Sequence, residues 1–227
     1  MRVLAIDTAL EACSAAVLDT EHARIAAHES LPMVRGHAEA LIPLIARVME
    51  RARLTFSEID RIAVTTGPGS FTGLRVGISA ARGIALATGK PAVGMSTLAT
   101  FAAPLIAADD TQPVVVAIDA RHDHVYLQVF GPGGHTLVPP RIVPLREALR
   151  VSATGAPRLI GTAAKLLAAA WPADERAPAS VEQRQAPDID WVARLGAAAV
   201  EAASPPKPLY LRAPDAQPQN AAQLARR

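Results

Sequence analysis

Apolar residues first come in short runs. "RVLAIDT" (2–8) and "CSAAVLDT" (13–20) are separated by a polar turn and predict a β-hairpin, with "ARIAAHESL" (23–31) as a third strand. From about 36 to 53 the spacing changes. Ala38, Leu41, Ile42, Ile45, Val48, Met49 and Ala52 recur at helical intervals, and Pro43 inside the run predicts a bend. "TFSEID" suggests a brief helical turn, "RIAVTTG" (61–67) a buried strand, and 71–88 a second long helix. Then come the strand "PAVGMS" and an apolar helix from about Thr97.

At Pro113 the pattern restarts. "PVVVAIDARHDHVYLQVF" repeats the opening logic of an apolar strand ending in Ile-Asp, a polar turn and a second strand. Asp7 and Asp119 take matching places in the two halves, which predicts a duplicated α/β unit. Subdomains of 1–108 and 109–227 follow from that restart. The second half continues through a proline-punctuated stretch, small helices near 144–150 and 162–170, and a helix over 188–203. From about 204 the chain is rich in Pro, Ala and Gln and reads as largely irregular.

The stretch "GPGSFTGLRVGISAARGIALATG" (67–89) looks like a phosphate-binding loop feeding a helix. A Walker A loop needs Lys and Ser/Thr after its last glycine, where Leu74 and Arg75 stand, and the G-x-G-x-x-G pattern fails as well. The helix carries more information than the loop. Gly73, Gly77, Ala81, Ala85 and Gly89 fall at every fourth position and form a ridge of small residues. Such a ridge lets another element approach closely, and that element is either internal or a partner. Two mid-helix glycines cost about 1 kcal/mol each relative to alanine, so something compensates.

Composition narrows the function classes. Half of the 227 residues are hydrophobic and 19% are charged, as in a globular protein, and a net charge of +2 gives no case for autonomous nucleic-acid binding. Cys13 is the single cysteine, so neither a disulfide nor a zinc-finger spacing exists. Asp7 and Glu11 interrupt any signal-peptide core, no apolar run reaches the roughly 18 residues of a membrane span, and a cytoplasmic location is expected. No His-x-x-x-His pair and no His-Glu-x-x-His motif is present, so no metal site is expected.

Taken together, "IDTALEACSAAV", "GPGSFTGLRVGISAARGIA", "PAVGMSTL", "AIDARHDHVYLQVF" and "PLYLRAPDA" resemble the TsaB (YeaZ) family of tRNA threonylcarbamoyladenosine biosynthesis. The resemblance runs from Leu4 to Ala216. It implies an α/β fold of two subdomains of the actin/hexokinase/Hsp70 (ribonuclease H-like) type, with duplicated strand-turn-strand units. It also implies a non-catalytic partner that binds and activates the catalytic paralogue TsaD, with the ATPase TsaE joining. The resemblance further implies a homodimer when the protein is alone, and contact with tRNA only through the complex. The two histidines of the paralogue's metal motif fall on Thr97 and Phe101 here, so catalytic residues and metal are both expected to be absent. The family's contact surface is its first two long helices, which nominates Leu41, Leu44, Ile45, Val48, Gly77, Ala81 and Ile84. Asp7 closes the first strand, where ATPases of this class place magnesium. Asp7, Gly67 and Gly69 are therefore candidates for weak nucleotide binding, with ATP or ADP and Mg possible only in the complex. A turn-capping role for Asp7 is the preferred reading. The rival function is a free-standing ATPase or small-molecule kinase of the same fold.

Overall fold

The structure, a computed structural model, describes residues 1–152, 155–201 and 204–212. Its first sheet takes β1 (Arg2–Asp7), β2 (Ala12–Asp19), β3 (Arg24–Pro32), β4 (Arg61–Gly67) and β5 (Ala92–Ser96) in the order β3-β2-β1-β4-β5. The first three strands form an antiparallel meander, and β4 and β5 join parallel. The second sheet uses β6 (Val114–Asp119), β7 (His124–Phe130), β8 (Thr136–Pro144), β9 (Arg158–Gly161) and β10 (Ser180–Gln183) in the order β10-β9-β6-β7-β8. Written from the other edge, its order and strand directions repeat the first. The duplication expected from Asp7 and Asp119 is thus a duplication of topology.

Helices α1 (His37–Ala52) and α2 (Phe71–Thr88) cover one face of the first sheet. Leu4 and Ile6 of β1 and Cys13, Ala15 and Val17 of β2 meet Leu41, Leu44, Ile45, Val48, Leu74 and Ile78 there. The alternate residues Val3, Ala5, Ala16 and Leu18 point to the other face, as the twofold period of a strand requires. In that direction they meet Ile189, Val192 and Ala193 of α6 (Ile189–Ala198). Helix α3 (Thr97–Ala108) lies with α6 between the sheets and packs Leu98, Phe101 and Leu105 on Val114, Val116 and Ile118. Helices α4 (Leu145–Ser152) and α5 (Ala164–Ala169) cover the outside of the second sheet. The layers run helix, sheet, helix, sheet, helix.

Two expectations change. The division at 108 is not one clean cut, because α6 returns to the first sheet, where Arg61 Nη1 donates to the carbonyls of Gly196, Ala197 and Ala199 at the helix end. The proline-punctuated stretch after residue 131 contains β8, in which Pro139, Pro140 and Pro144 are tolerated because β8 is an edge strand that needs fewer amide donors. Among the described residues, no helix is long and apolar enough to cross a membrane.

Candidate functional site

A cleft of about 650 Å³ opens between the two lobes. The first lobe contributes Leu10 and Glu11 from the β1–β2 turn and the loop from Pro68 to Phe71. The second contributes Asp119 to His122 and Thr162. Residues 209–212 close one side. Basic side chains (His37, Arg121, His122 and Arg212) outnumber the acids Glu11 and Asp119 around it.

The two turns facing the cleft are built alike. Asp7 Oδ1 accepts from the Ala9 amide at 3.1 Å, and Asp119 Oδ1 accepts from the Arg121 amide at 2.7 Å. An aspartate bonding the amide two residues on is an Asx turn, which turns the chain without glycine. The second turn is strained: Arg121, His122 and Asp123 all hold positive φ, at 61°, 51° and 56°.

Asp7 does not face the cleft. It is fully buried; Oδ1 also accepts a short bond from Thr65 Oγ1, and Oδ2 has no hydrogen-bond partner among the described residues. Burial pushes its carboxyl up to about 6, against the opposing pull of Thr65, the Ala9 amide and the His37 charge.

The glycines are crowded by the chain itself. A Cβ at Gly69 would overlap the Ala9 carbonyl oxygen, one at Gly73 the Thr8 carbonyl oxygen, and one at Gly77 the Thr8 hydroxyl. That hydroxyl donates to Gly73 O at 2.7 Å, and the Ser70 amide donates to Ala9 O at 2.7 Å. Ser70 also caps α2, its hydroxyl accepting from the Gly73 amide. Gly67, at φ 114°, faces Leu209 O. The ridge at Gly73 and Gly77 therefore holds the first turn of the sheet, and of the two partners left open by its spacing the internal one fits these positions. Asp7, Gly67 and Gly69 do not fit a magnesium-phosphate site, since the carboxylate is sequestered and the glycines answer to backbone contacts.

The residues nominated for a contact surface lie mostly in the core. Leu41, Leu44, Ile45, Val48, Gly77 and Ala81 are buried against the sheet in the folded chain, and of the seven only Ile84 is partly exposed. One long apolar stripe on a helix cannot by its period alone be divided into core and interface. The outer face of the same helices carries Ile42, Pro43 and Ala46 on α1 and Ser79, Gly83, Leu86 and Ala87 on α2, all exposed. Ser79, Gly83 and Ala87 form a second small-residue ridge at i, i+4, i+8, missed because the inner glycines repeat at the same interval. Thr97 and Phe101 lie buried in α3 and offer the cleft nothing.

Two topologically identical lobes closing on one cleft define a protein of the actin/hexokinase/Hsp70 class. An inorganic polyphosphate/ATP-glucomannokinase from Arthrobacter sp. strain KM shares this fold at a TM-score of 0.52 and 13% identity, over 87% of this chain and 98% of that one. More similar is a Pseudomonas aeruginosa protein described as resembling peptidase YeaZ, at a TM-score of 0.78 and 29% identity over 93% of this chain and 99% of that one. The profile of TsaD, tRNA N6-adenosine threonylcarbamoyltransferase, matches residues 30–178. The tRNA threonylcarbamoyladenosine biosynthesis protein TsaB of Escherichia coli (strain K12) is 40% identical over 126 residues, 56% of this chain. That match spans 53% of the E. coli protein, about half its length. The chain belongs to the TsaB/YeaZ family, within the wider group that the TsaD profile defines.

Proposed function

We propose that this protein is a non-catalytic subunit in the synthesis of N6-threonylcarbamoyladenosine beside the tRNA anticodon. It acts by binding and activating a TsaD-type catalytic paralogue, with a TsaE-type ATPase joining the assembly and tRNA met only through the complex. The E. coli relative's role in threonylcarbamoyladenosine biosynthesis supports the pathway. One observation carries the partner role: Gly83 sits mid-helix on the outer face of α2 with nothing within 4 Å of a Cβ placed on it. Gly73 and Gly77 have internal reasons to be glycine. Gly83 has none, yet a helix-interior glycine costs about 1 kcal/mol. Close approach of a partner helix along Ser79, Gly83 and Ala87 supplies the missing reason.

Exposed apolar side chains flank that ridge. Leu86 is 87% exposed and Ile42 57% exposed, so a pair of partner helices laid across α1 and α2 would bury both. In the absence of the paralogue, a second copy of this chain covers the same face. Catalysis and metal belong to the partner in this account, and nucleotide, where it binds, does so in the assembly. The rival reading as a free-standing ATPase gives Asp7 the task of holding magnesium, and the complete burial of Asp7 argues against that assignment.

Calorimetric titration of the paralogue tests the surface. Gly83→Arg should reduce affinity by at least about tenfold, on the order of 1.4 kcal/mol, while leaving the far-ultraviolet spectrum and melting of the monomer intact. A charge at Gly77 or Ala81 is the wrong probe, because it would enter the core. Unchanged affinity in a folded Gly83→Arg variant would remove the outer face from the proposal.

A further inference from the structure

We propose that residues 204–212 are an intramolecular latch that ties the two lobes together across the cleft mouth and occupies the end of the cleft beside the glycine-rich loop. The segment has neither helix nor strand, yet it makes specific bonds to both lobes. On the first lobe, the Leu209 amide donates to Thr66 O at 2.7 Å, at the end of β4. The Tyr210 ring lies 5.3 Å from that of Phe71, at the start of α2. Arg75, one turn on, sets its guanidinium 3.6 Å from the Phe71 centroid and donates from Nε to the Tyr210 hydroxyl at 3.0 Å. On the second lobe, Arg212 Nη1 donates to Ala120 O at 2.9 Å, where the strained left-handed turn begins.

The glycine-rich loop is shaped to receive this segment. A Cβ on Gly67 would stand 2.9 Å from Leu209 O, so this glycine answers to the latch and to its own φ of 114°. Helices α3 and α6 join the lobes through the interior, between the sheets. The latch joins them at the mouth, so its release leaves a hinge without its clasp. Cleft width then follows from whether Arg212 and Tyr210 are docked.

The test uses the full chain with a spin label in each lobe, at Glu50→Cys on α1 and Lys165→Cys on α5, both exposed helical positions. Cys13 is buried and its thiol is pushed up to about 11, so it stays unlabelled. The Tyr210→Ala/Arg212→Ala chain should show longer and broader label separations by pulsed electron resonance, with faster hydrogen exchange at the Leu209 amide. Arg75→Ala leaves residues 204–212 intact and should shift the separations the same way by less. It keeps the test available if the double variant does not fold. Faster exchange at Leu209 with unchanged separations would overturn the latch, as would slow exchange retained in both variants.

Discussion

At the scale of single residues, the least expected feature is Asp7. Its position after an apolar strand made it a candidate for magnesium, and its Asx turn with Ala9 was also legible from the sequence. Its complete burial was not, because it depends on Thr65, a residue 58 positions away that closes over it. Burial has a pH consequence of definite sign. The folded-state pKa of about 6 lies above the ordinary 3.8, so between those values the folded chain holds more protons than the unfolded one. This group's contribution is therefore most favourable below about pH 4, and it is lost as pH rises through 6. Asp7→Asn keeps an acceptor for Ala9 and Thr65 and removes the buried charge. Denaturant unfolding should find it more stable than the parent at pH 7.5, by up to about 3 kcal/mol, with the difference vanishing near pH 4. Parallel pH profiles for the two proteins would refute the desolvation account.

Among the elements, α2 shows how far periodicity reaches. The every-fourth-residue spacing of Gly73, Gly77 and Ala81 foretold close packing, but spacing carries no direction, and only the fold shows Thr8 lodged against the two glycines. The same limit hid that Leu41, Leu44, Ile45 and Val48 lie in the core while Ile42, Pro43 and Ala46 stand exposed beside them on α1. The two classes of glycine should respond oppositely to one methyl group. Gly77→Ala should lose at least about 1 kcal/mol, since overpacking against Thr8 costs about 1–3 kcal/mol and outweighs the helix-propensity gain. Gly83→Ala should gain up to about 1 kcal/mol, having open space. Urea denaturation of the two variants reads this directly, and a loss at both positions would contradict the assignment. Strand β8 is the complementary lesson. Its prolines hid a strand from sequence reasoning because edge position is a property of the sheet. Strands β9 and β10 escaped for another reason: each is only four residues long.

For the whole molecule, the restart at Pro113 made the duplication visible, and the two strand orders match when read from opposite edges. The sequence could not reveal that α6 crosses back to the first sheet, or that the tail spans both lobes, because each depends on contacts between distant residues. Part of the expected irregular tail, residues 204–212, is docked, while residues 213–227 lie outside the described chain. A molecule whose Asp7 is sequestered from the cleft and whose glycine loop holds its own tail suits a protein that works by contact. The partner role would then rest on the outer faces of α1 and α2.

The most direct test is threonylcarbamoylation of tRNA by the catalytic paralogue and the ATPase, supplied with the activated threonylcarbamoyl donor, with and without this protein. The account predicts modification that depends on the protein, falls with Gly83→Arg, and is accompanied by no ATP turnover from this chain alone. Equal modification without it, together with ATP hydrolysis by the isolated chain, would contradict the account and return the cleft to a catalytic role.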